Sequence, residues 1–137
     1  MNKLFLSEHF TLQEMLVTSV PLPNVPTEEA IVNLTYLCKD CLEEVRRLAG
    51  CPLYVNSGFR SEKVNACVSR SINSQHIHGQ AADITTGSVV ENNKLYDRLK
   101  TGHIKFDQLI KEHEGRVLHI SYKAPHLGAN RLVYWEE

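Results

Sequence analysis

Ser74-Gln75-His76-Ile77-His78-Gly79-Gln80-Ala81-Ala82-Asp83 is the stretch that says most about how this chain folds. Its glycine and the two alanines that follow allow a tight turn and close packing, and residues 81–84 are typical of a short strand. Asp83 would then lie among apolar neighbours, where a carboxylate needs a cation or hydrogen bonds. With His76 seven positions earlier, the stretch provides two candidate metal ligands.

A third candidate ligand, His119, lies in the downstream run Val117-Leu118-His119-Ile120-Ser121-Tyr122. Three protein ligands that leave a fourth position open are the arrangement of catalytic rather than structural zinc. His78 is a rival, because residues 76 and 78 of an extended segment face the same side. The spacing therefore indicates a metal-dependent hydrolase.

The composition is that of an ordinary globular chain. The 137 residues are 42% hydrophobic and 23% charged, with a net charge of −1. This length predicts a single domain, residues 1–137, with a real core. The charge balance argues against a nucleic-acid partner, and no apolar run reaches the roughly 18 residues of a membrane span. We expect a monomer that does not insert into membranes.

Helical patterns come first and strand patterns later, which favours an α+β fold with an antiparallel sheet. Thr11 to Glu14 is a capping box, and Thr27 can cap a long helix that Gly50 ends. Cys38 and Cys41 form a CxxC pair inside that helix, where small buried hydrophobes are expected rather than a redox or zinc pair. Further helices are predicted over residues 61–68 and 93–100, and strands over 53–56, 81–84, 106–110, 117–122 and 131–135, with 106–110 and 117–122 joined as a hairpin.

The chain carries four separated motifs in this order: Ser57-Gly58-Phe59-Arg60-Ser61, then Asn65, then Ser74 to Asp83, then His119 with Ser121-Tyr122. Together they resemble the zinc D-alanyl-D-alanine carboxypeptidase family, the LAS-type peptidoglycan metallopeptidases with the hedgehog/DD-peptidase fold. That family's pattern is SGxRS, N, SxHxxGxAxD and a late (V/W)HxSY. The opening Glu8 to Glu14 and the helix Asn33 to Leu48 also resemble the phage and prophage branch.

The resemblance implies a zinc peptidase of the cell wall. His76, Asp83 and His119 would bind one catalytic Zn²⁺ on an antiparallel sheet, and His78, at a variable position of the pattern, would lie at the pocket edge or in solvent. The substrate would be a peptidoglycan stem or cross-link peptide, cleaved at D-amino-acid linkages as a carboxypeptidase or an endopeptidase, with an activated water as nucleophile.

The resemblance also suggests which residues contact substrate. Arg60 would hold the substrate carboxylate or the oxyanion that develops on the scissile carbonyl, since a guanidinium stays charged and binds two oxygens. Ser74 would line the pocket. Gln108, Ser121 and Tyr122 complete the expected substrate-binding set.

Two positions depart from the relatives. Many relatives carry an acidic residue three positions before the last zinc histidine, as general base and acid, but this chain has Arg116, which cannot accept a proton. A glycine pair before the SxH motif is replaced by Ser69-Arg70. The first departure means that the carboxylate must come from elsewhere.

A strand argument locates a replacement. If residues 112–115 form the hairpin loop, Gln108 faces His119, and Glu112 shares the His119 face while Asp107 points away. Glu112 is therefore the expected catalytic acid and base. Asp107 and Glu114 remain alternatives, because a slip of one residue reverses every face.

Other functions fit the same sequence. A zinc or peptide module without hydrolysis, a structural domain of a phage particle and a cytosolic dipeptidase all stay open. The start of the chain has too short an apolar stretch for a secretory signal. We expect synthesis in the cytoplasm and action at the bacterial cell wall after export, release by lysis or carriage on a phage particle.

Overall fold

The computed structural model describes residues 2–137. They form helices and five strands, and the strands, interspersed among the helices along the chain, make one sheet. The α+β prediction is thereby confirmed. The strands form one sheet in the order β1-β2-β4-β3-β5. The strands are β1 Tyr54–Ser57, β2 Ala81–Thr85, β3 Gln108–Glu112, β4 Val117–Ser121 and β5 Val133–Glu136; the helices are α1 Leu12–Met15, α2 Glu28–Tyr36, α3 Glu43–Ala49, α4 Glu62–Val68 and α5 Val89–Thr101.

The long helix predicted after Thr27 is present, with an irregularity at its centre. The Thr27 side chain accepts a hydrogen bond from the backbone of Ala30, and α2 continues through a π-helical segment, Leu37–Leu42, into α3. Gly50 ends the helix in the left-handed conformation, with φ of 71°. Cys38 and Cys41 lie in the π-helical segment with free, buried thiols, and burial raises the pKa of both. They pack as small hydrophobes, as predicted.

The sheet is mixed, so the prediction of an antiparallel sheet was wrong for its last strand. β5 pairs with β3 in parallel, whereas the other three pairings are antiparallel. β4 ends beside the start of β3, and the chain then passes to the other side of β3 before β5 begins. Leu132 and Val133 donate backbone hydrogen bonds to Phe106 and Asp107, which places the start of β5 beside that of β3. A strand that begins there runs in the same direction as β3.

The hairpin register differs from the prediction, but the faces do not. Ile110, rather than Gln108, is the partner of His119, and Glu112 pairs with Val117. The register of the β3–β4 pair is therefore shifted by two residues from the predicted one. A shift by an even number of residues keeps every side chain on its predicted face. The turn contains three successive residues with positive φ, at His113, Glu114 and Gly115.

Strand alternation separates the core from the site. Ile84, Leu118 and Ile120 are fully buried against the helices, and they belong to one hydrophobic cluster with residues of α2, α3 and α5. Their neighbours Asp83 and His119 point to the opposite face, because successive side chains of a strand alternate. Within residues 2–137, no helix is both long and apolar enough to cross a membrane.

Candidate metal centre

Three side chains that can bind a metal meet on the sheet face opposite the core. Asp83 of β2 and His119 of β4 are direct cross-strand partners. His76 reaches them from a 3-10 turn, Gln75–His78, that immediately precedes β2. Ser74 caps this turn, and its hydroxyl accepts a hydrogen bond from the backbone N–H of His76 at 3.2 Å.

Gly79 allows this turn to lie close to the main helix. Its φ is 72°, a conformation that favours glycine. A Cβ at this position would lie 2.4 Å from the backbone oxygen of Ala30 in α2. The glycine of the SxHxxG motif therefore fixes both the direction in which the chain enters β2 and the distance between the turn and the helix.

The spacing of the three ligand atoms fits zinc. Asp83 Oδ1 lies 3.3 Å from His76 Nε2 and 3.0 Å from His119 Nδ1, and the ligand atoms of the three residues all lie within 4.8 Å of one another. Bonds of about 2.0–2.2 Å in a tetrahedral zinc site place two ligands about 3.3 Å apart. Two imidazoles and one carboxylate also form the donor set of a catalytic zinc with an open position.

The orientation of His76 is fixed by a backbone contact. Its Nδ1 lies 2.6 Å from the carbonyl oxygen of Gly58, and because a carbonyl can only accept, Nδ1 carries the proton. This leaves the Nε2 lone pair free to face Asp83. Such a hydrogen bond from the non-ligating nitrogen is the usual way in which proteins orient a metal-binding histidine.

Arg60 holds the other oxygen of the Asp83 carboxylate. Its Nη2 donates to Asp83 Oδ2 at 3.1 Å, and its Nε and Nη1 donate to Ser57 and Asn65. Burial by itself would raise the pKa of Asp83, but hydrogen bonds from His119 and His76 dominate and lower it well below its usual range. The carboxylate is therefore ionised, as a metal ligand must be.

The three candidate ligands lie in a cleft with a volume of about 680 Å³. β3 contributes one wall through Gln108, Ile110 and Glu112, the residues that share the His119 face. Arg60 and Ser74 also line the cleft, so these two and Gln108 lie where substrate contacts were predicted.

Glu112 is a cleft residue with a perturbed carboxyl group. It is a diagonal neighbour of His119 across the β3–β4 pair, and such neighbours have Cβ atoms about 7 Å apart. Burial and the charge of Asp83 raise the pKa of Glu112. A carboxyl group in the cleft of the candidate metal site, with its pKa raised above the usual range, is a candidate for the group that takes and returns a proton.

The two alternative carboxylates are placed differently. Asp107 is fully buried, and Arg131, Gln75 and Lys123 surround it. These contacts hold its pKa at about 2, which makes it a poor proton acceptor. Glu114 is exposed in the hairpin turn and is not a cleft residue.

Two predicted substrate-binding residues lie away from the cleft. Tyr122 is buried, and its hydroxyl donates to Asp40 on the helical side of the molecule, so its predicted contact with substrate stays a prediction without support from the cleft geometry. Ser121 is completely buried, and its hydroxyl accepts the backbone N–H of Gln108 at 3.0 Å, so it anchors the start of β3 instead. Ser121 is the last residue of β4 and Tyr122 follows it, and their contacts are with residues distant in the chain.

His78 and Arg116 do not belong to the cluster of candidate ligands. The 3-10 turn directs His78 away from His76, and the exposed ring of His78 lies 3.4 Å from Asn73. Arg116 is exposed at the end of the hairpin turn and does not line the cleft. Gln75 and Arg131 are among the cleft residues to which the sequence assigned no role. Asn65, which the sequence singled out without a role, positions Arg60.

The family model for peptidase M15 matches residues 8–121, which include all three candidate ligands and Glu112. The chain belongs to the peptidase M15 family. Peptidases of the M15 family are zinc-dependent, and in this member His76, Asp83 and His119 form a cluster that could hold one metal ion. Zinc as cofactor and a peptide as substrate, both expected from the sequence, are confirmed at the level of the family. Among curated proteins, no match to this M15 chain is found.

Proposed function

We propose that this protein is a zinc metallopeptidase that cleaves peptidoglycan stem or cross-link peptides at D-amino-acid linkages. The family supports the reaction class, and the motif resemblance supports the choice of substrate. The observation that carries the proposal is the presence of Glu112 in the same cleft as His76, Asp83 and His119. Glu112 supplies the carboxylate that many relatives carry at the position of Arg116.

The site divides the chemistry among its residues. When bound, zinc polarises the scissile carbonyl and lowers the pKa of a coordinated water toward neutrality. Glu112 takes a proton from the attacking water, whose oxygen bonds to the carbonyl carbon. Glu112 then gives that proton to the amine nitrogen as the carbon–nitrogen bond breaks. A positioned acid–base group of this kind typically contributes about 10²- to 10⁴-fold in rate.

Arg60 has a second task in this proposal. Three of its five N–H groups are used by Ser57, Asn65 and Asp83. The remaining N–H groups, on Nη1 and Nη2, are available to the oxygen of the scissile carbonyl as negative charge develops there. Arg60 therefore keeps Asp83 oriented and stabilises the oxyanion, which is one of its two predicted roles.

The place of action is part of the same proposal. A hedgehog/DD-peptidase fold, the phage or prophage branch and action at the cell wall after export or lysis all follow from the motif resemblance. The cleft has a mostly polar lining. Such a lining suits stem peptides, because they carry several carboxylates and amides.

The experiment that tests the function is digestion of purified muropeptides, with mass spectrometry of the products. We expect cleavage by the protein loaded with one equivalent of zinc, no cleavage after chelation, and identification of the bond from the fragments. Glu112→Gln should retain zinc and fold while losing about 10²-fold or more in rate.

Glu114→Gln is the matched control, because it removes a nearby carboxylate that lies outside the cleft. It should leave the rate unchanged. Full activity of Glu112→Gln would exclude Glu112 as the acid–base group. A zinc-loaded protein that binds muropeptides but cleaves none would instead identify a non-catalytic peptide-binding module.

A further inference from the structure

Arg131 lies on the cleft wall, although it comes from the C-terminal segment beyond the family match. The match ends at Ser121, and Arg131 lies two residues before Val133, where β5 begins. The parallel pairing of β5 with β3 brings Arg131 beside the start of β3, next to Gln108. None of the functions described so far uses this arginine.

A buried carboxylate fixes the Arg131 side chain in place. Its Nη2 donates to Asp107 Oδ2 at 2.7 Å, and its Nε lies 3.1 and 3.2 Å from the two oxygens of the same carboxylate. Asp107 also accepts a hydrogen bond from Gln75 Nε2 at 2.9 Å, and Gln75 directly precedes the ligand His76. The guanidinium is thus held in position on the wall of the cleft that contains the candidate metal site before any substrate binds.

The outer edge of this guanidinium is free. Nη1 of Arg131 makes no hydrogen bond within the described residues, and the side chain is 51% exposed. Arg60, the other arginine of the cleft, is only 14% exposed, and each of its three nitrogens is already hydrogen-bonded. Arg131 therefore has the more accessible free edge, with three unused N–H groups against two on the mostly buried Arg60.

The local charge favours an anion. Lys123 Nζ lies 3.6 Å from Asp107 Oδ1, so two cations, Arg131 and Lys123, surround one buried carboxylate. Of these two cations only Arg131 lines the cleft, whose lining also includes the carboxylates of Asp83, Glu112 and Glu137. Arg131 is therefore the positive group that an anionic ligand would meet at this part of the cleft.

We propose that Arg131 binds a free carboxylate of the peptide substrate and thereby selects peptides that carry one beside the scissile bond. This proposal rests on the proposed function for its substrate class. It assigns Arg60 to the reacting carbonyl and Arg131 to substrate recognition. In a stem peptide, the carboxylate comes from the C-terminus or from the α-carboxyl group of a D-isoglutamyl residue.

The test compares three stem pentapeptides, L-Ala-D-isoGlu-L-Lys-D-Ala-D-Ala. One carries both free carboxylates, one is amidated only at the C-terminus, and one is amidated only at the D-isoglutamyl residue. Affinities are measured by calorimetry on zinc-loaded protein with Glu112→Gln, and kcat/KM on zinc-loaded protein with Glu112 intact. We expect one of the two amidations to weaken binding about tenfold or more, as for loss of a charge-assisted hydrogen bond.

Arg131→Gln should reduce this discrimination to about one, while Lys123→Gln, the matched control, should preserve it. Lys123→Gln removes a cation from the same carboxylate without changing the cleft wall. If Arg131→Gln does not fold, the double variant Asp107→Asn with Arg131→Gln removes both buried charges and should show the same loss. The ratio between peptides does not depend on the fraction of active protein.

Two results would overturn the proposal. One is that the wild-type protein binds all three peptides equally well, and the other is that discrimination survives in Arg131→Gln. Failure of the proposed function is seen separately, as binding without cleavage, because the affinity ratios need no turnover.

Discussion

Asp107→Asn removes the fully buried charge that anchors Arg131, a residue of the cleft wall. The Asp107 side chain is completely buried, and Arg131 donates to it from its backbone N–H and its guanidinium, with Gln75 as a further donor. Burial alone would raise the pKa of this carboxyl group. The hydrogen bonds from Arg131 and Gln75 outweigh that effect and hold the pKa at about 2, compared with 3.8 for an ordinary aspartate.

The sign of the resulting pH dependence follows from this difference. As the pH falls, the unfolded chain takes up the proton first, near its own pKa of 3.8, so acid favours unfolding. The stabilisation is complete above the unfolded pKa and is lost as the pH falls from about 4 to about 2. At about 1.4 kcal/mol per pKa unit, its size is about 2 kcal/mol.

Urea unfolding of chelator-treated wild-type protein and Asp107→Asn, at pH values between about 6 and 2, measures this term. Because asparagine does not titrate, the difference between the two free energies of unfolding should shrink by about 2 kcal/mol across the acid range. If the free energies of unfolding of the two proteins change with pH in the same way, the Asp107 carboxyl is not held ionised in the folded protein. The ion pair that anchors Arg131 would then be refuted.

Three further predictions follow from the ligand geometry and the core. Gly79→Ala should destabilise the fold by about 1–3 kcal/mol in urea unfolding, because it adds a Cβ against helix α2 at a positive φ; unchanged stability would contradict the close approach. Arg60→Lys should weaken zinc binding about 10- to 100-fold in a competition titration, since lysine cannot hold Asp83, Ser57 and Asn65 together. Unchanged zinc affinity would show that Arg60 does not orient Asp83. The buried thiols of the π-helical segment should react with a thiol reagent only after unfolding; rapid labelling in the folded protein would refute their burial.

The metal cluster could be predicted from sequence because its determinants are local. The histidine, glycine and aspartate of residues 74–83 fix a turn and a strand, and His119 lies in a second strand with clear alternation. Glu112 was also placed on the correct face, although the register was not. The true register depends on positive φ at His113 and Glu114, which neither residue type signals strongly.

Features that depend on distant partners could not be predicted. Nothing in the local pattern of residues 131–135 shows that β5 runs parallel to β3. Asp107 and Tyr122 owe their positions to Arg131 and Asp40, which are far from them in the chain. The π-helical segment interrupts a pattern that reads as a regular helix. Such contacts depend on the tertiary arrangement of sheet and helices and not on local sequence preferences.

Zinc titration of the wild-type protein and His119→Ala, against a chelator of known affinity, tests the central claim most directly. The Cys41→Ala variant is the control, because its thiol is buried away from the cleft. The account predicts one zinc per chain in the wild type and in the control. It predicts that His119→Ala loses more than about 100-fold in affinity, since it removes a ligand and not only a supporting contact. Full zinc occupancy with unchanged affinity in His119→Ala would show that His119 is not a zinc ligand.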